Sequence, residues 1–135
     1  MTELELLDEA YRMIRTIPRV QASRQVPILG RCIDLVYLRR GLIYTVEFKL
    51  KNWRRALQQA RDHRLASDFS YICMPYRVVS RNMKVEFIEA GIGLLFVTNN
   101  SDWPFDIILR AKRSDEAWAF ARDKVRRYVI QTSEG

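Results

Sequence analysis

Three charged side chains interrupt runs that otherwise read as buried strand. Asp34 lies within Cys32-Ile33-Asp34-Leu35-Val36-Tyr37-Leu38, and Glu47 and Lys49 lie within Leu42-Ile43-Tyr44-Thr45-Val46-Glu47-Phe48-Lys49. A charge taken out of water is costly unless it is paired or holds a metal ion. Two carboxylates and an amine suit phosphate chemistry. Mg²⁺ is held by one or two carboxylates plus water and substrate phosphate. A bound divalent ion polarises a phosphoryl oxygen and lowers the pKa of its water. The amine can orient that water or stabilise charge developing on the transition state.

These residues must be brought together by a hairpin. Its arms span Arg31 to Leu50, and its turn is Arg39-Arg40-Gly41. With the turn centred near Arg40 and Gly41, paired residue numbers sum to about 81 in an antiparallel ladder. Asp34 then lies opposite Glu47, and directly opposed side chains share a face. Lys49, two residues beyond Glu47, shares it as well. Two like charges in that position repel, and a divalent cation between them removes the conflict. The competing reading is a partly exposed Asp34–Lys49 ion pair, with Glu47 solvated at a sheet end. Both arms are apolar on both faces, which predicts central strands covered on two sides.

The remaining pattern supplies the supports. A helix is expected over about residues 3–17, opened by a Thr2/Glu5 capping box and stopped at Pro18. Residues 19–29 read as irregular or extended. After the hairpin come a helix over about 53–66, a strand 69–74 and a helix 81–90 closed at Gly91. Then follow a strand 93–98, an edge strand 105–112 and a last helix. Ser114 is read as the cap of that last helix, with Ala117, Trp118, Ala121, Val125 and Tyr128 inward. The expected fold class is α/β, a mixed central sheet flanked by helices, with parallel pairing through the strand–helix–strand crossovers.

Asp34, the hairpin, Glu47-Phe48-Lys49 and the following helix resemble the PD-(D/E)xK nuclease superfamily. The resemblance covers about residues 1–98 and implies a restriction-endonuclease-like αβββαβ core, here with a C-terminal helix. It implies Asp34, Glu47 and the backbone carbonyl of Phe48 as metal ligands, and Lys49 as the catalytic lysine. Members often carry an acid on the first helix, for which Glu3 is the match. Many carry a glutamine on the helix after the lysine, for which Gln59 is the match. Glu3 also reads as an ordinary charge at a helix N-terminus, and Gln59 as a surface helix residue. Ile33 stands where the motif name has proline. The implied activity is Mg²⁺-dependent hydrolysis of DNA phosphodiesters, with Mn²⁺ as a substitute ion and RNA as an alternative substrate. Many members dimerise to cut both strands, so a homodimer is also admitted.

The totals agree with a polyanion as partner. The chain has 135 residues, room for one domain over 1–135, and a formal net charge of +7. Lys51, Arg54, Arg55, Arg61 and Arg64 flank or sit on the helix after the hairpin, where a phosphate backbone would pass. Arg31, Arg39 and Arg40 decorate the hairpin. Arg122, Lys124, Arg126 and Arg127 add to the positive charge or keep the last helix wet. His63, one turn beyond Gln59, reads as structural or surface. Cys32 and Cys73 lack zinc or disulfide spacing and read as buried free thiols. The acidic start Met1-Thr2-Glu3-Leu4-Glu5 is unlike a signal peptide, and no run is long and apolar enough to span a bilayer. The expectation is a soluble cytoplasmic protein. The rival readings are a catalytically silent nucleic-acid-binding module and a basic adaptor.

Overall fold

Arg40 and Gly41 both adopt positive φ, at 53° and 78°, the backbone of a two-residue type I′ turn. In the computed structural model, which describes residues 1–98 and 102–133, this turn joins β2 (Arg31–Arg39) to β3 (Leu42–Phe48). Arg39 pairs with Leu42, Tyr37 with Tyr44, and Leu35 with Val46. That is the register expected from the sequence. Residues 99–101 and 134–135, which the single-domain reading includes, lie outside the described residues.

The order of elements is α1 (Glu3–Ile14), β1 (Val20–Ile28), β2, β3, α2 (Trp53–His63), β4 (Phe69–Met74), α3 (Arg81–Ala90), β5 (Gly93–Val97), β6 (Phe105–Leu109) and α4 (Ala119–Ser133). A 3₁₀ turn, Arg64–Ala66, follows α2. The six strands form one sheet in sequence order. β1–β2–β3 is antiparallel, β3–β4–β5 is parallel, and β6 returns antiparallel on β5. The parallel pairs are the ones joined through α2 and α3, since parallel neighbours need a crossover connection, usually a helix.

The sheet is covered on both faces. On one, Leu6, Leu7, Ala10 and Ile14 of α1 pack on Leu35, Tyr37, Val46 and Phe48. On the other, α2 and α3 cover Ile72, Met74 and Leu94, while Ala121, Val125 and Val129 of α4 cover Val36, Leu38 and Ile43. The Thr2–Glu5 capping box is formed in both directions. Among the described residues no helix is long and apolar enough to cross a membrane.

Of the two readings of residues 19–29, irregular or extended, the extended one holds: they form edge strand β1, whose polar residues and Pro27 mask its alternation; an edge tolerates proline because only one side of the strand is paired. Two expectations need correction. Ser114 does not cap the last helix, which starts at Ala119. Instead, the Ser114 hydroxyl donates to the Arg64 carbonyl at 2.8 Å, and its N–H donates to the Asp68 carbonyl at 2.7 Å. Trp118 is accordingly exposed, and Val129 takes the inward position. Cys32 is exposed near the β1–β2 turn, whereas Cys73 is buried as expected.

Asp68 ties these layers together. Its carboxylate is almost fully enclosed. It accepts from the Ile43 N–H at 2.8 Å and from two nitrogens of Arg122 at 2.5 and 3.2 Å. Burial alone would raise its pKa, but the Arg122 hydrogen bonds and the Ile43 N–H outweigh that and hold it below the usual carboxylate range. Removing one partner of a buried pair strands the other. Asp68→Ala should therefore cost about 3–5 kcal/mol in urea unfolding. A depressed carboxyl pKa stabilises the fold above the ordinary carboxylate range and loses that stabilisation as pH falls through the lowered value. Asp68→Asn should thus show a flatter acid limb than the wild type. A loss below about 1 kcal/mol for the alanine variant would contradict the account.

Candidate active site

The β2–β3 ladder runs to Leu35 opposite Val46, and the next residue of each strand is Asp34 and Glu47, near the C-terminal end of β3. The side chains alternate along each strand. Glu47 therefore shares the face of Ile43 and Thr45, and Asp34 shares the face of Val36 and Leu38. Asp34 Oδ2 accepts the Phe48 N–H at 2.9 Å. The two carboxyl groups lie close enough for each to shift the titration of the other. Lys49 follows immediately, its N–H donated to the Cys73 carbonyl of β4 at 3.0 Å. The structure thus brings Asp34, Glu47 and Lys49 together.

The electrostatics of the pair follow from its burial. Glu47 is only 9 % exposed. Burial first, and then the Asp34 charge, push its carboxyl up to about 8, against the opposing pull of Lys49. Asp34 is also raised by burial, while the Phe48 N–H, Glu47 and Lys49 work to lower it. Without a cation the two acids cannot both ionise comfortably. A second positive charge between them would resolve this. Glu47 and Asp34 can supply oxygen ligands. Phe48 directs its N–H toward Asp34, and the C=O of a strand residue points to the same edge as its N–H, so that carbonyl faces the same side. Among the described residues no group of three or more His, Cys, Asp and Glu is arranged to hold a metal ion. The carboxylate pair would need the carbonyl, water and phosphate to complete a shell, which is how Mg²⁺ is ordinarily held.

Glu3 and Gln59 reach the same region. Glu3, at the start of α1, accepts the Leu50 N–H at 3.2 Å. Its charge is felt by both Asp34 and Glu47. Gln59 lines a cleft of about 390 Å³ together with Glu3, Lys49, Lys51 and Arg55. Its Oε1 is buried and unpartnered.

His63, expected from its sequence position to be structural or on the surface, lies against the pair. It is buried, and its Nε2 stands 4.0 Å from Glu47 Oε2. Burial drives its pKa down to about 4 despite Asp62 nearby, so this is a neutral imidazole beside a carboxyl group and not a salt bridge. The only signal for it was helical spacing: His63 follows Gln59 by four residues and so shares its face of α2.

The arginines divide. Lys51, Arg55 and Arg61 are exposed at or on α2. Arg54 is also exposed, stacked on Trp53 and paired with Glu86 at 3.3 Å. Arg64, expected among the phosphate contacts, is buried instead. Its guanidinium holds Asp115 and Glu116 at 3.7 and 3.6 Å and packs against Gly91. It lies past the end of α2, where the 3₁₀ turn rotates it inward. Arg122 is likewise engaged, by Asp68.

Solved structures share this fold. A protein of unknown function from Silicibacter pomeroyi, SPO1766, matches 99% of the chain and 88% of its own, with a TM-score of 0.67 and 16% identity. An XisH family protein from Nostoc punctiforme matches with a TM-score of 0.53 and 16% identity, covering 77% of this chain and 96% of its own. An fdxN element excision controlling factor protein from Anabaena variabilis has a TM-score of 0.51 and 19% identity, over 75% and 98%. At these identities the likeness is one of fold. No protein-family model and no curated protein matches the sequence.

The raised Glu47 carboxyl has a direct consequence for stability. An acid whose folded pKa exceeds its unfolded value stabilises the protein below the unfolded pKa, and that contribution disappears as pH rises through the folded pKa. For Glu47 the window runs from the ordinary glutamate range up to about 8. In chelator, Glu47→Gln should gain melting temperature relative to the wild type as pH rises from 5 to about 9. A difference that stays flat over that range would show that Glu47 is not held protonated by its neighbours.

Proposed function

We propose that this protein is a metal-dependent nuclease of the PD-(D/E)xK type that hydrolyses DNA phosphodiester bonds. The observation that carries the reading is a buried pair of acids, Asp34 held by the Phe48 N–H and Glu47 against His63, with Lys49 two residues beyond Glu47 at one strand end. The fold shared with XisH-family and excision-controlling proteins supports it at the level of architecture.

Asp34, Glu47 and the Phe48 carbonyl would hold Mg²⁺, or Mn²⁺ in its place. Bound there, the ion would polarise the phosphate and acidify a water. The chain's own groups do the rest. The Phe48 N–H fixes the rotamer of Asp34, so one ligand is oriented before any ion arrives. Lys49 brings a positive charge to the mouth of the cleft, where it can orient the attacking water or stabilise negative charge on the phosphate. Gln59 presents a buried carbonyl oxygen into the same region, suited to positioning a water. Glu3 adds a third carboxylate from the other side of the cleft, also suited to water. His63, neutral and enclosed, confines Glu47.

The strand would run past α2. Lys51, Arg54, Arg55 and Arg61 offer phosphate contacts there, which give salt-sensitive affinity and little sequence discrimination. The first turn of α2 contains no acid, and its cap residue Asn52 makes no side-chain hydrogen bond to it. Its free N–H groups are therefore suited to an anion.

The wild type should degrade DNA in Mg²⁺ or Mn²⁺. Asp34→Ala or Lys49→Ala should lower the rate by at least about 100-fold while largely sparing DNA binding. Binding without cleavage of DNA or RNA by the wild type would favour a silent binding module. Failure to bind either would favour a basic adaptor. Mg²⁺ should also raise the melting temperature of the wild type more at pH 8 than at pH 5, because ligand carboxylates must release protons to take the ion. No such increment, or the same one in Asp34→Ala, would count against a carboxylate-held ion.

A further inference from the structure

A second recess, of about 300 Å³, opens beside the N-terminal ends of β3 and β4. It is built from aromatic rings. Tyr37 and Tyr44 stack at 4.6 Å with their planes 4° apart, and Phe69 stacks on Tyr44 at 5.3 Å. Trp103 stands edge-on to Tyr37 at 5.5 Å. Two arginines line it: the Arg39 guanidinium lies 4.6 Å from the centre of the Trp103 ring, and Arg110 is exposed. Among the described residues lining it there is no carboxylate.

This recess is distinct from the carboxylate site. Tyr44 precedes Glu47 by three residues, about 10 Å along a strand. Tyr44 also shares the face of Val46 and Phe48, opposite to Glu47. Along the rest of that face the sheet is sealed by α1. Here Tyr44, Phe69 and Trp103 remain only partly buried.

Its chemistry is that of a flat, electron-rich ligand bearing negative charge. Aromatic faces accept any nucleobase by stacking, and exposed guanidinium groups match phosphate oxygens in a planar fork. The volume is at the lower end of small-molecule sites, roughly 300–1,000 Å³. It would admit one base with its phosphate but not a duplex. We propose that this recess binds a nucleotide, with the base against Phe69 and Trp103 and the phosphate on Arg39 and Arg110. The nucleotide is either free or an unpaired unit of a single strand. The proposal does not depend on cleavage, since the recess contains none of the groups that would hold the ion.

The test is a ¹H–¹⁵N spectrum of the metal-free protein in chelator, following the Trp103 indole N–H, identified by its loss in Trp103→Phe. Titrants are adenosine monophosphate, an adenine-only single-stranded oligodeoxynucleotide, a blunt duplex and inorganic phosphate. The Trp103 signal should move with the mononucleotide or the single strand, while the Trp118 indole stays in place. Response to the mononucleotide identifies a free nucleotide as a ligand. Response to the strand alone identifies an unpaired base of a polymer. The double variant Arg39→Gln, Arg110→Gln should keep the remaining spectrum and weaken the response by at least about tenfold. A Trp103 signal that ignores both nucleotide and single strand overturns the proposal. So does one that responds equally to inorganic phosphate or duplex.

Discussion

The structure depends on one constraint: a two-residue turn that fixes which residues of β2 and β3 face each other. Arg40 and Gly41 both occupy the left-handed region, where glycine is at ease and arginine is not. Shifting the register by one residue would send every side chain of one arm to the wrong face. Asp34 would then leave Glu47, and Val36 and Leu35 would exchange the α4 and α1 faces of the sheet. The hydrophobic pattern and the turn thus enforce the same alignment. The carboxylate pair is held in place by the packing of its apolar neighbours, although it works against burial itself.

That tension gives the site its chemical character. Glu47 is enclosed next to another acid and against a neutral imidazole. A site that served packing alone would have hydrophobic residues in these places, with no loss of stability. Asp68 shows the contrast. It is as buried as Glu47, yet two hydrogen bonds from Arg122 and one from a backbone N–H satisfy it. One buried acid is fully matched by the protein and ties α4 to the sheet. The other lies against a neutral imidazole and a second acid, with no such set of donors. Perturbed acids of this kind cluster at functional sites, and Gln59 Oε1, also buried without a partner, lies on the helix beside them.

Much of this was legible in the sequence, for identifiable reasons. The hairpin register followed from a glycine turn between two apolar arms, and it leaves Asp34 and Glu47 close enough to Lys49 for all three charges to act on one another. The capping box at Thr2 and the glycine closing α3 were read from strictly local chemistry, and both are formed. What escaped depended on contacts distant in sequence. β1 was half hidden because an edge strand needs only one well-packed side and carries Gln21, Arg24 and Gln25. Arg64 read as a surface cation because its partners, Asp115 and Glu116, are about fifty residues away and reach it only through the extended segment before α4. Ser114 had the type and position of a helix cap, but it bonds to Arg64 and Asp68 before the helix begins. The proximity of His63 to Glu47 needed the packing of α2 on β3, which no spacing rule supplies.

The central claim is that Asp34 and Glu47 jointly grip a divalent ion next to Lys49. Anomalous diffraction from crystals soaked in Mn²⁺ tests it most directly. The account predicts one strong peak with an oxygen of each carboxylate within about 2–2.5 Å. A peak bound to only one of the two acids, or none between them at saturating Mn²⁺, would contradict it.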